Sequence, residues 1–154
     1  MNIDLNRKFP RPDGHHSITA GFAVPNAGKV IDFLERAFGG KVLGRWDDAK
    51  SGAVMHAEVK IGDSVVMLGE ANKDHGMPPM PASLSYYVDN GEAVDTTYKR
   101  ALAAGATSLE EPQNKFYGYR AASVQDIGGN RWTICAIVEQ VSNDEMERRM
   151  KDFQ

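Results

Sequence analysis

The sequence is poor in the features that support disulfides, nucleic-acid binding or membrane insertion. It has one cysteine, Cys135, in 154 residues, and 18 Lys and Arg against 21 Asp and Glu, for a formal net charge of −3. A single cysteine cannot form an internal disulfide, and there is no basic run to bind nucleic acid. No stretch approaches the roughly 18 apolar residues that span a bilayer, and the first residues lack a signal-peptide core. We therefore expect a cytoplasmic protein without nucleic-acid or membrane partners, and an inert, buried Cys135.

The sequence also lacks the common catalytic motifs, but it contains an internal repeat. There is no Gly-rich phosphate loop, nucleophile elbow or paired-cysteine motif. Residues 22–38 align with residues 86–102 without gaps, and apolar positions coincide along the alignment. The length suits one domain or two small modules that share a core. The matched pairs include Phe22 with Tyr86, Val24 with Val88, Val30 with Val94 and Leu34 with Tyr98.

Each copy of the repeat predicts a strand followed by a helix. We expect the first helix to start after Pro25, with Asn26 as its N-cap, and to end at Gly39-Gly40. The second helix should repeat this pattern and end near Gly105. Both helices are expected to bury their apolar positions against a sheet.

A region of alternating apolar and polar residues follows each helix. In the first half it contains Gly62-Asp63, which is typical of a tight hairpin turn, and the second half has Gly128-Gly129-Asn130 at the matching place. Each half is therefore predicted to be a strand, a helix and two or three antiparallel strands, and the two halves could place sheet faces around a shared cleft. Ser142, three residues before Glu145, predicts a capped terminal helix that is either a solvated arm or a dimer contact.

Several sequence stretches resemble the vicinal oxygen chelate superfamily, which includes glyoxalases, bleomycin-resistance proteins and dioxygenases, and within it the PhnB-like proteins. The resemblance implies an α+β fold of two tandem βαβββ modules that form a shared cleft. It divides the chain into a flexible segment 1–14, a first module 15–70, a linker 71–82, a second module 83–141 and a C-terminal helix 142–154. The stretches are HSIT at 16–19, IDFLERAFGG at 31–40, MHAEVKIGDSVVMLGE at 55–70, AAGA at 103–106, FYGYR at 116–120, NRW at 130–132 and EMERR at 145–149.

Four strand positions supply the metal ligands in glyoxalase-type members of this superfamily. The resemblance places Thr19, Met67, Ser83 and Thr133 at these positions. Three hydroxyls and one thioether would leave a divalent metal ion under-coordinated. We therefore predict a cleft without a metal or other cofactor.

The remaining polar candidates lie on the strands that face the cleft. Ser85 and Tyr87 share a strand face with Ser83. On the strand from Met55 to Ile61, the apolar face is expected to hold Met55, Ala57, Val59 and Ile61, so His56 and Glu58 point to the cleft or to solvent. These two side chains could contact a ligand, form structural hydrogen bonds, or act as a general base and its carboxylate partner.

The loop at residues 115–120 is the second candidate site. Tyr117, Tyr119 and Arg120 could stack on a planar ligand and pair with its acidic group, or the aromatic rings could cap the end of the sheet. We expect His15, His16 and His75 at the surface and Trp132 in the core. Trp46 could line the mouth of the cleft.

Together these features predict a homodimeric, cytoplasmic protein that binds a small apolar or aromatic molecule without a metal. The rival hypothesis is a lyase, isomerase or dioxygenase-like enzyme with a relocated or metal-free site that uses His56 and Glu58. A third is a structural protein whose cleft has closed. The predicted ligand-binding residues are Thr19, His56, Glu58, Met67, Ser83, Ser85, Tyr87, Tyr117, Tyr119, Arg120 and Thr133.

Overall fold

Two four-stranded sheets and three α-helices make up the described residues of the computed structural model, which are 5, 6, 8 and 10–153. The predicted flexible segment 1–14 falls partly outside these residues. The first half contains β1 (Gly21–Val24), α1 (Ala27–Phe38), β2 (Lys41–Asp47), β3 (Val54–Ile61) and β4 (Ser64–Glu70). The second half contains β5 (Ser83–Tyr87), α2 (Gly91–Ala103), β6 (Thr107–Asn114), β7 (Tyr119–Gln125) and β8 (Arg131–Ile137), and α3 (Asn143–Lys151) follows it.

The two halves have the same strand order and the same register. The sheets run β1-β4-β3-β2 and β5-β8-β7-β6, and in each the first strand is parallel to the second. Gly21 lies opposite Met67, and Ser85 lies opposite Thr133. The predicted α+β fold of tandem βαβββ modules is confirmed.

The helices start differently from one another. Asn26 was expected to cap α1, but its backbone is left-handed, with φ 58°, and its side chain makes no capping hydrogen bond. A capping side chain needs an extended backbone at that position. The carboxylate of Glu70 replaces it and accepts from the backbone N–H groups of Asn26 and Ala27, both at 2.9 Å. In α2, Asn90 does cap the helix, because its side chain accepts from the N–H of Ala93.

The core lies between the helices and the sheets of both halves. Phe38 of α1 packs against Tyr86 and Trp132 of the second sheet, with ring centroids 4.9 and 5.1 Å apart. Trp132 is buried, as predicted, and also contacts Phe22 at 6.4 Å. Because the helix-covered faces meet in one core, the opposite face of each sheet points outward. We call that outward side the free face.

The turn between the last two strands is exposed in the first half and buried in the second. Gly62-Asp63 joins β3 to β4 as the predicted two-residue hairpin, with Ile61 opposite Ser64. The turn between β7 and β8 is instead built on the buried carboxylate of Asp126. It accepts four hydrogen bonds, from the backbone N–H groups of Gly128 and Asn130, the Asn130 amide and the Trp132 indole. This turn fixes Trp132 in the core.

The terminal helix α3 docks on its own second half. Ser142 caps it by accepting from the N–H of Glu145. Arg149 pairs with Glu139 and Glu145 and donates to the carbonyl of Phe116, and the ring of Phe153 lies 4.7 Å from that of Phe116. The helix is therefore attached to its own second half, unlike a free arm, and a dimer contact through its exposed side stays a prediction.

Cys135 is buried and unpaired, and burial raises the pKa of its thiol, as expected for an inert core cysteine. None of the helices in the described part of the chain is long and apolar enough to cross a membrane.

Candidate functional site

A cavity of about 690 Å³ lies at one end of the first sheet. It is lined by β1, the end of β4, the start of β3, the loop before β3 and the linker after β4. All of the described residues that line it lie between positions 21 and 80, so the cavity belongs to the first half and the linker, whereas the sequence predicted a cleft shared by both halves. Four methionines form much of its wall, namely Met55, Met67, Met77 and Met80.

Met55 corrects a prediction from strand alternation. It was assigned to the apolar core face of β3, but it is 67% exposed and lines the cavity. In the ladder with β2, Trp46 pairs with His56 and Asp47 with Val54, so Met55 is the extra residue of a β-bulge and Val54 takes the core position. A Cβ on Gly69 would lie 2.7 Å from the carbonyl oxygen of Met55. The missing side chain of Gly69 therefore makes the bulge possible.

A buried carboxylate lies beside the cavity on the free face of β3. Glu58 accepts from two imidazoles, His15 Nε2 to Oε2 at 3.2 Å and His56 Nε2 to Oε1 at 3.3 Å. Burial raises the pKa of Glu58, but hydrogen bonds from the two histidines and their charge outweigh it, so the pKa is lower than the ordinary value. Glu58 is therefore ionised at neutral pH.

His15 was expected at the surface, yet its side chain is only 9% exposed. The segment that carries it crosses the free face of the first sheet, where a Cβ on Gly14 would lie 2.9 Å from Val65 Cγ2. Val65 and Glu58 are both buried beneath this segment. No local sequence pattern predicts the contact, because it joins residues 43 positions apart.

His56 connects Glu58 to the cavity. Its side chain is 45% exposed and lines the cavity wall. The ring of Trp46 lies 5.7 Å from that of His56, with an angle of 33° between the planes. The position of His56 is thus fixed by the hydrogen bond of its Nε2 to Glu58 and by the ring of Trp46. The predicted pairing of His56 with Glu58 is present in the structure.

Most of the predicted ligand-binding residues do not line the cavity. Ser83, Ser85 and Tyr87 lie exposed on β5 of the second sheet, which contributes no residue to the cavity. The hydroxyl of Thr133 lies 3.3 Å from that of Ser123, and the hydroxyl of Thr19 donates to the carbonyl of His16 at 3.5 Å. Of the predicted set, only His56 and Met67 line the cavity, with Glu58 bonded to His56.

The loop at residues 115–120 forms an aromatic cluster in the second half. The ring centroid of Tyr119 is 5.3 Å from that of Tyr117 and 6.1 Å from that of Tyr87. Arg120 is held by its own chain, because it donates to Asp95 at 2.8 Å and to Asn114 at 3.1 Å. The rings of this loop contact one another and the ring of Phe153, which follows α3.

The metal-ligand positions of the resembled superfamily do not fit a divalent ion in this chain. Thr19 and Met67 belong to the first half, while Ser83 and Thr133 lie on the separate second sheet. Their donors are hydroxyls and a thioether, and two of the hydroxyls already bond within the chain. Over the part of the chain that the structure describes, no three side chains of His, Cys, Asp or Glu are grouped so as to hold a metal ion.

Comparisons with known proteins agree with this architecture. The model of the Glyoxalase/Bleomycin resistance protein/Dioxygenase superfamily matches residues 15–134. An uncharacterized protein of Mycobacterium bovis is 28% identical over 143 residues, which cover 87% of this chain and 91% of that protein.

Solved structures show the same fold at lower identity. TioX from Micromonospora sp. ML1 has a TM-score of 0.60 and 23% identity, over 82% of this chain and all of TioX (100%). The PhnB protein from Bacillus cereus has a TM-score of 0.63 and 19% identity, over 79% of this chain and 99% of that one.

Proposed function

Because this chain belongs to the Glyoxalase/Bleomycin resistance protein/Dioxygenase superfamily, we propose that it uses the cavity of its first half to bind a small apolar or aromatic molecule without a metal. The cavity walled by four methionines carries this proposal. Its volume of about 690 Å³ lies within the range of roughly 300–1,000 Å³ for small-molecule sites. Methionine side chains are flexible and polarisable, so they adapt to apolar ligands of different shapes.

The polar groups of the cavity favour ligands without negative charge. Asp48 and Glu70 line it, and none of the described lining residues is a lysine or an arginine. His56 and His75 can donate or accept hydrogen bonds, and the amide of Asn72 contacts His75 Nδ1 at 2.8 Å. We therefore propose an uncharged or cationic ligand with a mainly apolar body.

Titration with N-phenyl-1-naphthylamine, an uncharged fluorescent aromatic compound, tests this function. We expect one probe per chain and a change in the emission of Trp46, which is exposed and stacks on His56. Met67→Glu should weaken binding at least about tenfold, because a carboxylate in an apolar wall is poorly solvated. Thr133→Glu is the matched control, since Thr133 holds the equivalent position in the second half. Equal affinities of these two variants, or no binding by the wild type, would contradict the proposal.

We also propose that the protein is a cytoplasmic homodimer. The free face of the second sheet supports the dimer, because Tyr87 and Ile137 expose large apolar surfaces on neighbouring strands. Sedimentation equilibrium should give a dimer for the wild type and a monomer for Ile137→Glu. Met150→Glu on α3, also exposed, should remain dimeric. Cell fractionation tests the location.

A further inference from the structure

We propose that His15, Glu58 and His56 form a relay that makes His56 a general base toward the ligand in the cavity, with His15 as its positioning residue. This inference rests on the proposed ligand-binding function. It adds acid–base chemistry to that function, and it assigns a role to His15. The substrate would be an uncharged apolar molecule with an acidic C–H or O–H bond.

The charge of Glu58 determines where the hydrogens of both histidines lie. An ionised carboxylate has no hydrogen to donate, so both imidazoles must donate to it through Nε2–H. In neutral His56 the lone pair is then on Nδ1. Among the described residues, none forms a hydrogen bond with His56 Nδ1, and the ring lies in the cavity wall. Nδ1 is therefore the nitrogen that can take a proton from a bound molecule.

His15 completes the relay by occupying the second oxygen of Glu58. Each imidazole uses one oxygen, and the side chains of His15 and Glu58 are only 9% and 7% exposed. The Gly14–His15 segment also covers the neighbouring Val65. Water is thereby kept from the carboxylate, which strengthens its interaction with His56. Loss of the His15 side chain would open Oε2 to solvent and loosen His56.

The proposed step transfers one proton and needs no co-reactant. A C–H or O–H bond of the ligand breaks, its electron pair stays on the ligand, and the proton goes to His56 Nδ1. The imidazolium that forms is stabilised by the Glu58 carboxylate. With 5-nitrobenzisoxazole as probe, the electron pair of the C–H bond forms the nitrile, the N–O bond breaks, and the ring opens to a cyanophenolate whose oxygen takes the electron pair of that bond. The proton then passes from His56 to water.

Nitrogen NMR of the imidazole rings is the first test. Neutral His56 should carry its hydrogen on Nε2 in the wild type, and Glu58→Gln should give a mixture of tautomers, because a neutral amide can both donate and accept. Ser123→Ala is the matched control, since Ser123 lies opposite Thr133 as Glu58 lies opposite Met67. A hydrogen on Nδ1 in the wild type, or tautomers unaffected by Glu58→Gln, would overturn the relay.

Elimination of 5-nitrobenzisoxazole is the second test. We expect His56→Ala to lower kcat about 100-fold. His15→Ala should lower kcat about tenfold with little change in KM, while His15→Gln should retain activity because its amide can donate to Glu58. His16→Ala is the control, since the side chain of His16 is exposed. A turnover that His56→Ala leaves unchanged, or no turnover by the wild type, would refute the base.

Probe binding distinguishes the two proposals. If N-phenyl-1-naphthylamine binds but the tautomer or the kinetics disagree, the relay is wrong and the binding function stands. If the probe does not bind, the binding function fails, and the relay fails with it as a ligand-directed base.

Discussion

The two halves of this protein have one backbone plan and two different free faces. In the first half, Met67 lies between Gly21 and Glu58, and in the second half Thr133 lies between Ser85 and Ser123. The linker and the Gly14–His15 segment cover much of the first face, whereas side chains such as Ser85 remain exposed on the second. The repeat thus fixes the position of each residue in its sheet, while the segments outside the repeat decide which face is covered and which end of a sheet forms a cavity.

A second difference between the halves lies in β4, which pairs with β1, and in its counterpart β8, which pairs with β5. Gly69 pairs with Ala23 in the first half, and Cys135 pairs with Tyr87 in the second. The β3–β4 ladder ends at the Ala57–Leu68 pair, just before Gly69 and the bulge at Met55, while the β7–β8 ladder continues past Cys135 and runs without interruption from Tyr119 to Gln125. One missing side chain thus turns a methionine from the core toward the cavity.

The largest change in stability is expected at the buried turn between β7 and β8, compared with the exposed turn between β3 and β4. Asp126→Ala should lower the free energy of unfolding by about 3 kcal/mol or more, because it leaves the buried Trp132 indole and Asn130 amide without their acceptor. Asp63→Ala, in the exposed turn of the first half, should change it by less than about 0.5 kcal/mol. Urea unfolding measures both. Similar losses in the two variants would break the contrast between the turns.

Gly69→Ala tests the bulge. The added methyl group cannot fit beside the carbonyl of Met55, so we expect a loss of about 1–3 kcal/mol in stability and weaker binding of N-phenyl-1-naphthylamine. Cys135→Ala, at the equivalent position of the second half, should leave probe affinity unchanged. Urea unfolding and fluorescence titration give the two readouts. Unaltered binding by Gly69→Ala would show that the bulge does not shape the cavity.

Glu58→Gln should change how stability depends on pH. The folded-state pKa of Glu58 is below its ordinary value, so the ionised group stabilises the fold above the unfolded-state pKa of about 4.3. That contribution is lost as pH falls through the folded-state pKa. The stability difference between wild type and Glu58→Gln should therefore shrink as pH is lowered below about 4.3. Urea unfolding at several pH values measures it, and a constant difference would contradict the stabilising contacts of the Glu58 carboxylate.

The smallest effect is expected at Arg120. Its ion pair with Asp95 is partly exposed, and such pairs contribute about 0–1 kcal/mol. Arg120→Gln should therefore cost less than about 1 kcal/mol in urea unfolding and leave probe binding unchanged, because the second half does not line the cavity. A clear loss of affinity would assign the loop at residues 115–120 to the site.

The sequence predicted the elements more completely than the site. Apolar spacing and glycine positions located both helices and the turn at Gly62-Asp63, and alternation placed Trp132 in the core. The same alternation failed at Met55, because an inserted bulge residue reverses the phase of every position before it. Strand alternation correctly placed His56 and Glu58 on one side of β3. It could not predict the contact of His15 with Glu58, because that contact depends on the path of a segment outside the regular strands and helices.

What the sequence by itself determined is the repeated plan of a strand, a helix and two or three antiparallel strands, since local spacing of apolar residues decides which face each element buries. It also determined the donor chemistry at Thr19, Met67, Ser83 and Thr133. Only the tertiary structure decided that the halves meet through their helix-covered faces, that Glu70 caps α1 and that His15 seals Glu58. These contacts join residues far apart in the chain, and their geometry follows from packing that no local pattern encodes.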